Sequence, residues 1–383
     1  METGGISLSA VYVADMGVVT ALGQGVDALW KGLLAGSTGI APVRRFSTEC
    51  YNSSLAGCIR DIDTEHPISR LDALVEMLFD GIPTIAPDTM LLTASTKGGI
   101  DQLERFVRKQ PTALDRILSH QVEDLVVGKL GLKAARNNIS AACASATMAL
   151  ALGASRIEQG EIESVLVCGL DLVSEFVFSG FSALHALSAK ACCPFDVSRD
   201  GLLLGEGAAY ILLMSERRFQ QTKCRCLGRI AGWGIASDAH HITAPSRTGE
   251  GLIQSIRQAM ERAKLPVDNI AAINAHGTGS VYNDAMELKA FRAIFDSLPP
   301  FHSVKGAIGH TMGACGAIET IVGLCSLKQQ CIPPTLGLQT PEPEAMNRVS
   351  SNVQSISGDY LLTTNSGFGG INASIVLQRN TEL

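Results

Sequence analysis

The sequence predicts a layered α/β protein assembled from two related halves. Strand-like and helix-like segments alternate along the chain, and two short patterns recur once in each half. The balance of residues agrees, with 46% hydrophobic, 18% charged and 38 glycines among 383. That is the make-up of a tightly packed globular chain with many close backbone approaches, rather than a disordered or fibrous one.

Taken in order, "AVYVADMGVV" reads as a strand and "GVDALWKGLLAG" as the helix after it. The stretch 45–130 is more polar and irregular, and reads as an insertion on the first half. An uncharged run between Arg136 and Arg156 has the length of a membrane helix. Its Asn, Ser and Thr residues and its many small side chains instead suit a helix buried against neighbouring backbone. Further on, "RIAGWGIASD" is a strand and "GEGLIQSIRQAMERAKL" a helix with Leu252, Ile256, Met260 and Ala263 on one apolar face.

The internal echo pairs "CASATMALALGASRIEQG" with "HTMGACGAIETIVGLCSLKQQ", and "GEGAAYILLMSERR" with "GFGGINASIVLQRN". Halves spanning 1–220 and 221–383 account for both matches. Alternation of this kind builds α/β layers.

A formal net charge of −6 argues against nonspecific nucleic-acid or anionic-membrane binding, while leaving room for a local basic patch. Eleven cysteines are too dilute for a disulfide framework and lack zinc-site spacing, so reduced thiols and no metal are expected. The first residues lack a basic segment followed by an apolar run, which suggests a cytoplasmic enzyme.

Four islands carry chemistry. In "ISAACASAT", Cys143 stands where a strand meets a helix, and a helix start there favours a thiolate through its free N–H groups and macrodipole. In "NAHGTGSVYNDAMELKA", His276 enters a glycine-rich loop, with Asn283 or Asp284 capping the next helix and Glu287 in its first turn. In "SVKGAIGHTMGACGAIE", Lys305 and His310 precede the second small-residue helix, so twofold-related halves would bring His310 to face Cys143. In "TTNSGFGGINASIVL", the glycines lead into a strand, unlike a dinucleotide fingerprint, and the backbone N–H of Phe368 is placed to bind an oxyanion.

Together these islands resemble the β-ketoacyl-acyl carrier protein synthases, condensing enzymes of the thiolase superfamily. The likeness runs from "MGVVTALGQGVDALWKGLLAGSTGI" through "GFSALHALS" and "PFDVSRDGLLLGEGAA" to "NSGFGG". It implies a thiolase-like fold of two pseudo-symmetric halves in α-β-α-β-α layers. It also implies a Cys-His-His site of Cys143, His276 and His310, with Lys305 beside it and Glu287 as the ion-pair partner of Lys305. Asp284 is a second acidic support. Thr278 and Ser280 fall where hydroxyls bind a phosphopantetheine arm, Phe368 falls at a gating phenylalanine, and Gly369 beside it is expected to touch substrate.

The implied reaction loads an acyl group onto Cys143, decarboxylates malonyl-acyl carrier protein and joins the two by Claisen condensation, in fatty acid, polyketide or aryl polyene biosynthesis. A cysteine thioester is a reactive acyl donor with a good leaving group. Two imidazole N–H donors on the enolate oxygen would contribute about 3 to 4 kcal/mol each. No cofactor is implied beyond the carrier's arm. The implied partners are an acyl carrier protein and a second subunit, identical or chain-length-factor-like, without nucleic acid or membrane insertion. Arg105, Arg108 and Lys109 are candidates for docking an acidic carrier.

The family pattern N-S-F-G-F-G-G is one residue shorter here, and the chain is short in the 45–130 region, as in ketosynthases of aryl polyene pathways. A degradative thiolase would need a second cysteine in its C-terminal glycine loop, and "NSGFGG" has none. An initiating ketosynthase has Asn in place of His310. A noncatalytic chain-length factor loses the nucleophile, whereas this chain keeps Cys143, both histidines and Lys305. A cysteine hydrolase would leave the second histidine and the arm hydroxyls unexplained.

Overall fold

A computed structural model describes residues 10–62 and 69–380. Most of the N-terminal stretch read for a leader, and part of the 45–130 region, lie outside the described residues. The first half runs β1 (Val11–Thr20), α1 (Arg70–Leu78), β2 (Met90–Ala94), α2 (Val122–Leu130), β3 (Arg136–Asn138), α3 (Ser145–Glu158), β4 (Ser164–Asp171) and β5 (Gly207–Ser215). The second runs β6 (Gly228–Ser237), α4 (Glu250–Ala263), β7 (Ile270–Asn274), α5 (Val281–Ile294), β8 (Phe301–His302), α6 (Cys315–Gln329), β9 (Tyr360–Gly367) and β10 (Ile371–Gln378).

The strands form one continuous sheet in the order β8-β7-β9-β10-β6-β1-β5-β4-β2-β3. Read outward from the antiparallel β1–β6 contact, where Val11 faces Ile230, both halves follow the same strand order. The recurring patterns of the sequence fall on equivalent elements, α3 with α6 and β5 with β10. Short side chains explain the middle layer. There α3 and α6 pack on each other and on both half-sheets, with Ala146, Ala149, Ala154, Ala314 and Ala317 in one apolar core. At Gly316 a Cβ would fall 1.9 Å from Thr147 Oγ1, so only glycine allows this approach of the two helices.

The outer faces are covered separately. In α1, Leu71, Leu74, Val75 and Leu78 close the first half, and in α4 Leu252, Ile256 and Met260 close the second. The stretch 45–130 is therefore more than an insertion, because it supplies α1, β2 and α2, the counterparts of α4, β7 and α5. Its polar loops mask short apolar elements such as the fully buried "MLLTA" of β2. The material added there includes a helix at Ile100–Val107 and single turns at Leu114–Arg116 and Ser119–Gln121. Among the described residues no helix is long and apolar enough to cross a membrane. The uncharged run before Arg156 contains the end of β3, a turn and α3.

Candidate active site

Cys143 sits on a strained turn between β3 and α3. The residue before it, Ala142, has φ 49, a left-handed conformation that L residues seldom adopt. Ser145 clamps the turn, its hydroxyl donating to the Ala142 carbonyl at 2.6 Å and accepting the Ala141 N–H at 2.8 Å. Because the helix begins at Ser145, Cys143 lies ahead of its first turn and is buried. Burial pushes the thiol up to about 11, against the opposing pull of Lys305 and of the Phe368 N–H directed at it. The thiolate expected from a helix start is therefore not the resting form, since desolvating a full charge outweighs the partial charge of a helix end.

The two histidines come from the other half and meet over this sulfur. His310 Nε2 is 3.0 Å from Cys143 Sγ, and the two imidazoles lie edge to face at 5.3 Å. Their partners fix their tautomers. Nδ1 of His310 faces the backbone N–H of Met312 at 3.1 Å, while Nδ1 of His276 faces the amide of Asn365 at 3.1 Å and the Lys305 ammonium at 3.3 Å. A nitrogen surrounded by donors must accept, so in both rings Nε2 carries the proton. Burial, reinforced by Lys305, holds both histidines well below their ordinary pKa, which keeps them neutral.

Lys305 pairs with Glu319 at 2.5 Å, each side chain about 1% exposed, and also donates to the His276 carbonyl. Burial opposes its charge, yet Glu319, and after it Glu287, hold it above the usual lysine range. The expected Lys305–Glu287 ion pair is thus replaced by Lys305–Glu319. Glu287 instead accepts the backbone N–H groups of His276 and Gly277, both at 2.7 Å. Burial and the neighbouring Asp284 push it up to about 8. Asp284 accepts from Thr278 at 3.1 Å, Gly279 at 3.2 Å and Phe195 at 2.8 Å. The two acids of α5 therefore hold the main chain of the loop that carries His276.

These groups open onto a cavity of about 330 Å³ whose lining includes Cys143, His276, His310, Thr278, Ser280 and Phe368. The hydroxyls of Thr278 and Ser280 lie 2.9 Å apart in its wall. Phe368 stacks on Phe181 at 5.7 Å between ring centroids. Gly367 lets the end of β9 press on the nucleophile turn, since a Cβ there would stand 2.9 Å from the Ala141 carbonyl oxygen. Gly369, expected to touch substrate, lies outside the cavity lining, and its N–H is bound to the Ile242 carbonyl at 2.6 Å.

The sequence profile described as Beta-ketoacyl synthase, N-terminal domain, matches residues 112–218, and that of the C-terminal domain matches residues 227–339. The chain belongs to the β-ketoacyl synthase family. It is 29% identical to a 3-oxoacyl-[acyl-carrier-protein] synthase 2 of Staphylococcus aureus, over 96% of this chain and 98% of that one. To the enzyme of the same name from Vibrio cholerae it is 28% identical, over 98% and 100%. Two solved structures share the whole architecture. The ishigamide ketosynthase/chain length factor matches with TM-score 0.88 and 27% identity over 98% of this chain and 100% of that one. A β-ketoacyl synthase from Burkholderia phymatum matches with TM-score 0.87 and 26% identity over 97% and 100%.

Within this β-ketoacyl synthase, sequence reasoning missed Glu319 and Asn365. Glu319 did leave a signal, as the one Asp, Glu, Lys or Arg between Lys305 and Lys328. Asn365 bridges the network, its amide donating to Glu319 at 2.6 Å as well as facing His276. The potential ligand atoms of Cys143, His276 and His310 lie within 4.8 Å of one another, a spacing that invites a metal reading. The donor set opposes it, because a protonated Nε2 has no lone pair to offer and neither Nδ1 has room to take the proton instead.

Proposed function

We propose that this chain condenses an acyl group held on Cys143 with malonyl-acyl carrier protein, releasing carbon dioxide. The observation that carries the reading is the pair of neutral imidazoles, both with Nε2–H, beside the Cys143 sulfur. In the first step the Cys143 sulfur attacks the acyl thioester and its proton leaves with the departing carrier thiol. The exchange conserves bond type, and the thiol, neutral at rest, gives up its proton as the new sulfur–carbon bond forms. The carbonyl oxygen is received by the main-chain N–H groups of Cys143 and Phe368.

In the second step the bond from the malonyl carboxylate to its neighbouring carbon breaks, carbon dioxide departs, and the electron pair forms an enolate. His276 and His310 donate to its oxygen. Finally the enolate carbon attacks the acyl-cysteine carbonyl, expelling the Cys143 thiolate, which takes a proton from solvent. Because decarboxylation makes the carbanion, no residue acts as a base and no metal or organic cofactor is required. Thr278 and Ser280 serve the carrier's phosphopantetheine arm, a role their place in the cavity wall supports.

The test is direct. The wild-type protein, incubated with acyl and malonyl carrier proteins, should show an acyl mass on Cys143 and release carbon dioxide, and Cys143→Ala should lose both the mass and the product while keeping its fold. Undiminished chain extension by that variant would refute the assignment. The noncatalytic subunit reading has no use for a retained nucleophile and its donors.

A second subunit is supported by the exposed apolar side chains of Phe106, Val107, Leu114 and Leu118, on the segment whose Ser119–Gln121 turn contacts β3, an edge strand among the described residues. The ishigamide relative, named as a ketosynthase with its chain length factor, suits either a like or an unlike partner here. Of the basic residues proposed for the carrier, Arg108 is tied to Glu175 on the helix Glu175–Ala183, whose Phe181 lines the cavity. Reversing Arg105 and Lys109 should weaken carrier binding at low salt, and unchanged affinity would dismiss this surface.

A further inference from the structure

The Nδ1 atoms of the two histidines are supported differently. His276 is backed by a charged lysine and an amide, but His310 is backed by Met312 N–H and by a second thiol, Cys315, whose sulfur lies 3.1 Å from Nδ1. Cys315 is the first residue of α6, fully buried, and its sulfur also accepts the Thr311 hydroxyl at 3.4 Å. With the Thr311 hydroxyl donating into it, the sulfur directs its own hydrogen at Nδ1. The result is a one-way row of donors: Thr311 O–H to Cys315, Cys315 S–H to His310 Nδ1, and His310 Nε2–H to Cys143.

We infer that Cys315 is a positioning residue for decarboxylation, acting through His310 by donating its S–H to Nδ1. The inference rests on the ketosynthase reading above and adds a residue to it. A donor at Nδ1 draws electron density from the ring, which makes Nε2–H a better donor to an enolate oxygen. It also prevents the ring from taking a proton. An acidic side chain at the same place would do the reverse, accepting Nδ1–H and turning the imidazole into a general base, as in Ser-His-Asp hydrolases. Cys315 thus helps to decide whether this histidine stabilises an anion or abstracts a proton. Burial keeps the Cys315 thiol protonated, far above its ordinary range, as a donor must be.

The experiment compares wild type, Cys315→Ala and Cys315→Ser in three measurements. These are acyl loading of Cys143 by intact mass, carbon dioxide release from malonyl carrier protein, and the ¹⁵N shifts of His310 in the unliganded protein. Losing one hydrogen bond to a catalytic imidazole should lower kcat for carbon dioxide release roughly two- to tenfold, leaving KM and loading almost unchanged. Cys315→Ser should restore most of the rate. The Nδ1 resonance should move toward a weaker hydrogen bond in the alanine variant and return in the serine variant.

An unchanged release rate with alanine would overturn the proposal, as would equal losses in loading and release that serine does not repair, which mark simple packing. If the wild-type protein releases no carbon dioxide, the ketosynthase reading itself fails. The ¹⁵N comparison then still decides whether Cys315 donates to His310.

Discussion

The turns that lead into α3 and α6 share a backbone and differ in what they do with it. Ala142 and Met312 each precede the first residue of their helix by three positions and take nearly the same left-handed conformation, φ 49 and φ 50. In the first half the next residue is Cys143, and the turn presents its sulfur to the cavity. In the second the next residue is Gly313, whose N–H is bound to Asp171 at 2.7 Å, while Met312 turns its own N–H back onto His310. The first turn holds an uncharged nucleophile. The second is backed by the buried Lys305–Glu319 pair. A duplicated frame lets nucleophile and donors occupy facing positions, with the buried lysine–glutamate pair on the donor side.

That contrast is open to attack, beginning with the charged side. Glu319→Ala should leave Lys305 buried without its carboxylate and cost about 3–5 kcal/mol of unfolding free energy. In the same urea titration Cys143→Ala should change little, and equal losses would erase the distinction between the two turns. Next, His310→Ala should lower carbon dioxide release by about 10²- to 10³-fold, as for loss of one oxyanion donor, with acylation of Cys143 retained. Normal release would remove His310 from the step.

A third prediction uses pH. His302, on β8 of the same half, is fully buried with neither ring nitrogen hydrogen-bonded among the described residues, and burial followed by Lys305 pushes its pKa down to about 3. The unfolded chain, with an ordinary value of 6.5, takes up this proton first. The stability due to neutral His302 is therefore complete above pH 6.5 and is lost as pH falls toward 3. The difference in unfolding free energy between wild type and His302→Phe should shift against wild type by about 1.4 kcal/mol per pH unit in that window. A pH-independent difference would contradict it. The smallest effect is expected at the contact between the halves, where Gly367→Ala should cost about 1–3 kcal/mol through its clash with the Ala141 carbonyl. An unaltered urea midpoint would show that the nucleophile turn yields.

Much of this arrangement could be read before any coordinates. Repeated small-residue helices are visible because their packing role restricts composition, and His276 and His310 stand in glycine-rich surroundings, with Cys143 among small residues, that few structural positions require. The acidic partner of Lys305 was not legible. Glu287 and Glu319 each lie within an island, and only the fold shows that Glu287 is occupied by the main chain at His276 and Gly277. The state of Cys143 was misjudged for a related reason, since a helix start is written in the sequence and the depth of burial is not. In the 45–130 region, β2 and α1 are too short to impose a period on the polar loops around them.

The donors packed against both Nδ1 atoms also set a direction. A ring that can lend a hydrogen bond but cannot collect a proton is unable to strip one from an unactivated acetyl thioester, so the only road to the carbon nucleophile starts from a carboxylated unit. Each extension then ends in an escaping gas, and that loss is what keeps the new carbon–carbon bond from being undone.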